Sequence, residues 1–158
     1  MARVYLDTSF VSACVTTRQD AASIVRRETS LEWMDSQAEK HDLFISPEVV
    51  IELDDPTFPS RDAAMNIIES VPLLMISEQV LGVATILVYE NVMPGPDNAG
   101  DALHVAVSAV HRMDYLLSWN VRHLANPNKT QHLQVVCSRL GLIPPTIITP
   151  EILWEETP

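Results

Sequence analysis

Glycine, cysteine and basic residues are all in short supply in this chain. Four glycines stand against eleven prolines, which points to stiff loops and excludes flexible linkers. The two cysteines, Cys14 and Cys137, are isolated and fit no metal or disulfide spacing, so a reducing, cytoplasmic setting is expected. No apolar run approaches the roughly 20 residues of a membrane helix. Met1–Val11 carries one Arg and then an apolar run cut by Asp7, and is expected to be neither a signal peptide nor an anchor. Ten Lys and Arg against 21 Asp and Glu give a net charge of −11, which at first argues against a nucleic-acid partner. Neither G-x-x-x-x-G-K-[ST] nor G-x-G-x-x-G occurs, so the two common glycine-rich phosphate loops are excluded.

What the chain does have is apolar content, 47% of 158 residues, enough to bury a substantial core in a single domain spanning 1–158. Its charge is also unevenly spread. Glu28 through Asp101 holds fifteen acids against Lys40 and Arg61 alone. Residues 102–140 hold one acid, Asp114, against Arg112, Arg122, Lys129, Arg139 and four histidines. An acidic middle and a basic later third soften the argument against nucleic acid. Most of the acids are expected to be solvated helix surface, and part of the acidity to serve a cation, around which carboxylates gather despite repulsion.

In chain order, Arg3–Leu6 reads as a buried strand stopped by Asp7-Thr8-Ser9, and roughly residues 20–40 as a helix. Asp42–Ser46 is a second strand. Ser46-Pro47-Glu48 starts a helix that carries Glu52 and ends near Leu53, with a serine cap, a first-turn proline and an acid. Asp62–Val71 follows as a helix, Leu73–Ile76 as a candidate third strand, and Ser77 caps a helix to about Asn91. Pro94, Gly95, Pro96 and Gly100 form a breaker-rich loop, after which Asp101 opens a strongly apolar helix to about Met113. Tyr115–Trp119 has strand composition and stops at Asn120. Thr130–Leu140 is a helix stopped by Gly141, Thr146–Thr149 a strand, and Pro150–Trp154 a final turn. Apolar strands without alternation, separated by helices, predict an α/β fold with a mainly parallel sheet covered on both faces.

Ligands of such folds gather beyond the carboxyl ends of the strands. Asp7 and Asn120 each follow a strand at that edge, Glu52 is on the helix after the second strand, and Asp101 opens a helix that feeds another. Four oxygen-bearing side chains from four places suit Mg²⁺ or Mn²⁺, whereas zinc favours His and Cys. Without a cation, such close carboxylates raise one another's pKa. Each acid alone has a plainer explanation: a turn at Asp7, a solvated helix acid at Glu52, a cap at Asp101. Their joint placement is what points to a site. A haloacid-dehalogenase-like phosphatase would need a second Asp two residues after Asp7, where Ser9 stands, and no Lys is placed to serve a receiver domain.

The segments V-Y-L-D-T-S, S-P-E-V-V-I-E-L, G-D-A-L-H-V-A and D-Y-L-L-S-W-N-V-R-H-L, in this order, resemble the PIN-domain family, and most of all its VapC-type branch of ribonuclease toxins. The resemblance spans essentially the whole chain, the late T-I-I-T-P-E-I-L included. It implies a three-layer α/β/α sandwich and Mg²⁺- or Mn²⁺-dependent hydrolysis of RNA phosphodiester bonds. Asp7, Glu52 and Asp101 take the positions of the family's acids, and Asn120 stands where Asp is frequent. The partners it implies are an RNA substrate and a small antitoxin protein encoded beside the toxin, with a homodimer as an option and no membrane. A noncatalytic module of the same fold, binding RNA or protein, is the alternative.

The amide at Asn120 lowers the formal negative charge of the set to three, which counts against a second cation. His104, three residues after Asp101, is expected as a satisfied buried histidine before a ligand. Glu48 and Asp97, each four residues before a site acid, are accessory candidates explained more simply by the helix dipole and the loop. Thr8, Ser9 and Ser118 are candidates to hold the acids. Arg122 and Lys129 are the candidates for RNA contact, and Trp119 is expected in the core.

Overall fold

The computed structural model describes residues 1–156; Thr157 and Pro158, the end of the 1–158 span, lie outside the described residues. Strand β1 (Ala2–Leu6) is followed by α1 (Thr8–Val15), α2 (Ala21–Ser36), β2 (His41–Phe44), α3 (Pro47–Leu53), α4 (Arg61–Ile68), α5 (Glu78–Tyr89), α6 (Gly100–Val110), β3 (Tyr115–Leu117), α7 (Pro127–Arg139) and β4 (Thr146–Ile148). The four strands form one parallel sheet in the order β2-β1-β3-β4. Val4 sits opposite Leu43 on one side and Tyr115 on the other. Helices flank the sheet, giving the expected α/β/α sandwich. The buried side chains of Val4, Tyr5, Leu6, Leu116 and Leu117 join Phe10, Trp33, Leu103 and Val105 in one core cluster. Because β2 and β3 lie on opposite sides of β1, the sheet edge beyond β1 and β3 is where parallel folds open a crevice.

Four local readings are corrected. The stretch after β1 is a helix, α1, and not only a strand stop. Its sequence TSFVSACV is a weak helix former, but Phe10, Val11, Ala13 and Cys14 are buried and Asp7 caps it, so tertiary packing overrides propensity. Leu73–Ile76 is not a strand. It makes a single parallel bridge, Leu73 to Ile45, because Pro72 has no N–H to give and Leu73 and Met75 face solvent, 56% and 75% exposed. Helix α6 opens at Gly100, with Asp101 inside its first turn and no side-chain cap at Ala99. Helix α7 begins earlier than expected, capped by Asn126 with Pro127 in its first turn.

His41 at the start of β2 is buried and stacks on Trp33, ring planes 7° apart and centroids 5.9 Å apart. Among the described residues neither of its ring nitrogens has a hydrogen-bond partner. Burial holds its pKa below the ordinary histidine value, with the Glu155 charge opposing. The unfolded chain therefore takes up this proton at a higher pH than the folded one. Stability tied to His41 is complete above about pH 6.5 and is lost as pH falls below it through the lowered folded value. His41→Phe keeps the stack and removes the titration. Its melting temperature should drop less than the wild type's between about pH 7.5 and pH 5; equal drops would place the acid sensitivity elsewhere.

Candidate metal centre

Strand β1 ends by delivering Asp7 to the sheet edge, where its backbone N–H donates to the Leu117 carbonyl at 3.0 Å. Its carboxylate is 4% exposed. Oδ2 accepts from Ser9 Oγ at 2.6 Å and from Ser118 Oγ at 2.8 Å, so one oxygen is fixed by hydroxyls of α1 and of the residue after β3. Ser118 Oγ also accepts the Asn120 N–H at 3.0 Å. Ser9 Oγ accepts the Trp119 N–H at 3.0 Å. Two serines thus tie the ends of neighbouring strands together around one acid.

Helix α3 presents Glu52 from its last turn. Oε1 accepts from Thr8 Oγ1 at 3.0 Å and is hydrogen-bonded to His104 Nε2. Burial pushes the Glu52 carboxyl up, but the His104 hydrogen bond and charge, with Thr8, bring it below the ordinary value. One turn earlier on the same face, Glu48 is 7% exposed. Burial raises its pKa and the Glu52 charge raises it further. Glu48 therefore belongs to the acidic neighbourhood, and the helix dipole alone is not its explanation. Its four-residue spacing to Glu52 is the signal that marks it in the sequence.

Helix α6 brings Asp101 and, one turn on, His104. Asp101 is half-buried; burial raises its pKa and the Asp7 charge adds to this, with His104 and His123 opposing. His104 is 1% exposed. Its Nδ1 lies 2.6 Å from the Tyr5 hydroxyl, which lies 2.7 Å from Ser46 Oγ. Its Nε2 meets Glu52 and stands 3.8 Å from Asp7 Oδ1. Burial lowers the pKa of this imidazole, but the Glu52 hydrogen bond and the charges of Asp7, Glu52 and Glu48 outweigh it, and the net direction is up. Nε2 faces the Glu52 carboxylate and Nδ1 the Tyr5 hydroxyl, so both ring nitrogens are partnered. His104 is the satisfied buried histidine expected, and it is set among the acids.

Asn120 lies beside Asp101: its Nδ2 is 3.4 Å from both carboxylate oxygens. Its Oδ1 accepts the His123 N–H at 3.1 Å, closing the turn after β3. The amide thus turns donors toward Asp101 and keeps one lone pair of Oδ1 beyond that turn. Asp97 points elsewhere, accepting from Thr85 Oγ1 at 3.1 Å on α5. Arg122 is exposed on the 120–126 turn. Lys129 lines a separate cavity of about 210 Å³ with Leu133, Pro144 and Pro145, away from the acids. Trp119 is in the core, 9% exposed.

Asp7, Glu52, Asp101 and Asn120 supply hard oxygen donors, and the mutual charge of Asp7 and Asp101 that raises the Asp101 pKa is what a divalent cation would relieve. The donor chemistry fits Mg²⁺ or Mn²⁺. The acids share a corner without closing around a single point: among the described residues no group of three or more His, Cys, Asp or Glu side chains is set to hold an ion. His104 Nε2 is turned to Glu52 instead.

No family model matches the chain, and no curated protein matches it in sequence. It is similar in structure to VapBC2 from Rickettsia felis bound to a DNA fragment from their promoter, with TM-score 0.55 and 15% identity over 80% of this chain and 94% of that one. It is likewise similar to FitAcB from Neisseria gonorrhoeae, with TM-score 0.55 and 14% identity over 95% of this chain and 99% of that one. At such identity these likenesses establish the fold, a PIN-like sandwich, and nothing finer. Among the described residues no helix is long and apolar enough to cross a membrane.

Proposed function

We propose that this protein is a metal-dependent endoribonuclease and the toxin of a toxin–antitoxin pair. The observation that carries the reading is the gathering of Asp7, Glu52 and Asp101 at one corner of the sheet, where Asp7 is 4% exposed and burial and the Asp7 charge raise the Asp101 pKa. Carboxylates collected and desolvated in this way cost stability unless they serve a ligand. Asp7, Glu52 and Asp101 would hold Mg²⁺ or Mn²⁺, with the free lone pair of Asn120 Oδ1 as a fourth oxygen. Held there, such a cation would supply an activated water for attack on a phosphodiester and would offset the charge that develops. The protein's own part is positional. Ser9 and Ser118 fix one Asp7 oxygen, Thr8 and His104 fix Glu52, and Asn120 steadies Asp101 from the side. The resemblance of the motifs to VapC-type toxins and the structural likeness to a VapBC2 assembly support the same reading.

The test is direct. Purified protein should cut RNA with Mg²⁺ or Mn²⁺ and stop with EDTA, and its expression alone should arrest growth until a small neighbouring gene is co-expressed. Intact RNA across a broad panel in both metals would sink the nuclease. It would favour a noncatalytic RNA- or protein-binding module, a second reading favoured by the turn-closing role of the Asn120 oxygen.

Asn120→Asp separates the roles of this amide. It sets a carboxylate against Asp101 and removes the Nδ2 donors. In EDTA its melting temperature should lie below that of the wild type, and Mn²⁺ should raise it by more, because a ligand charge has been added at short range. The steepness of cleavage rate against Mn²⁺ should stay unchanged; a steeper dependence with a large rate gain would mean that a second ion has been restored.

A further inference from the structure

Beside the acids runs a groove of about 340 Å³ that the chemistry above leaves unused. It begins at Ser9 and Asn120, which touch Asp7 and Asp101. It runs out past Trp119 to Arg18 and Arg26, with Phe58 on its lining. The Arg26 guanidinium carbon lies 5.5 Å from the centroid of the Trp119 ring. That ring is held in place because its Nε1 donates to Ser30 Oγ at 2.8 Å. Arg26 is exposed and among the described residues has no carboxylate partner, unlike Arg61 and Arg139. Arg18 meets only Asp20, at 3.4 Å and on the surface. In a chain of net charge −11, two arginines with so little neutralisation beside an acidic centre are a marked local reversal of sign.

We propose that this groove holds one unpaired nucleotide of the RNA next to the phosphodiester that is cut, its base stacked on Arg26 over Trp119 and its phosphate met by Arg18. The inference rests on the nuclease reading and adds to it the place that seats the nucleotide beside the cut. A guanidinium is planar and can stack on a base while its N–H groups point at phosphate. The volume lies at the low end of ordinary ligand sites, about 300–1,000 Å³, and suits a single nucleotide. A base inside a duplex has both faces covered by its neighbours and cannot use this platform.

Two measurements test this. In the first, a short labelled single-stranded RNA is titrated by anisotropy in EDTA at several salt concentrations. Arg26→Ala should weaken binding about tenfold with little change in the slope of log affinity against log salt, whereas Arg18→Ala should make that slope shallower by about 0.7, the share of one phosphate contact on a single strand. Arg26→Lys should keep the slope and recover only part of the affinity. Arg139→Ala, which removes the same charge elsewhere, should change neither, and duplex RNA should compete poorly. In the second, cleavage with Mn²⁺ should show KM raised by Arg18→Ala and by Arg26→Ala with kcat little changed. Cleavage by the wild type with binding and KM untouched in both variants overturns the groove and leaves the nuclease standing. Absence of cleavage removes the nuclease, and the binding arm still decides the groove: no binding, or binding indifferent to Arg26→Ala, overturns it.

Discussion

Asp101→Asn should lower the rate of RNA cleavage by about 10³-fold while the protein melts at a higher temperature in EDTA. Both parts follow from one feature. Asp101 ionises in a half-buried place beside Asp7, and its folded pKa is raised by burial first and by that charge second. A carboxyl with a raised folded pKa destabilises the native state increasingly as pH climbs through the unfolded value near 3.9, and the full penalty is present at neutral pH. The amide removes the penalty and with it an oxygen charge that a divalent cation needs. Asp7→Asn should abolish activity equally, but two serine hydroxyls at 2.6 and 2.8 Å also lose a charged acceptor, so a smaller gain in stability is expected there. Cleavage assays and thermal melts on the same preparations check both parts. Full activity in either variant would dismantle the assignment of these acids.

Loss of the buried imidazole carries the other large effect. His104→Ala leaves Glu52 and Tyr5 without their imidazole partner. Truncating a fully buried side chain costs about 2–5 kcal/mol, which in a domain of this size lowers the melting temperature by about 10 °C. The loss should be seen in EDTA. Mn²⁺ should restore more of the melting temperature in His104→Ala than it adds to the wild type, since Glu52 Oε1 is then free of its imidazole partner. A variant that melts like the wild type would mean that the acids are not held by His104.

Much of the fold was legible because its signals are local. Ser77 as a cap, Pro47 in a first turn, Gly141 as a stop and the unbroken apolar strands each report their element without help from distant residues. Helix α1 was not, because Thr8–Val15 owes its helicity to the burial of Phe10, Val11 and Cys14, which only the assembled core supplies. Leu73–Ile76 has strand composition, but Pro72 has no N–H to give and Leu73 and Met75 stay in solvent. At the candidate site, Asp7, Glu52, Asp101 and Asn120 could be named from the ends of elements. The surroundings of His104 could not, since they are acids 52 and 97 residues away in the chain. Arg26 was equally hidden. It meets Trp119 only after α2 folds over the end of β3, and no pattern near residue 26 announces that.

Helix α6 is buried from Ala102 to Ala109. Such an element has no solvated side along which it can peel away, so its loosening coincides with loss of the whole core. Asp101 and His104 are therefore fixed to the slowest-opening part of the molecule. Asn120, by contrast, stands at the mouth of the 120–126 turn, and Ser9 and Arg26 lie on α1 and α2 at the surface. On the proposed function, accommodation of a substrate would be divided: one wall of the cleft is an anvil that does not yield, and adjustment belongs to the opposite wall.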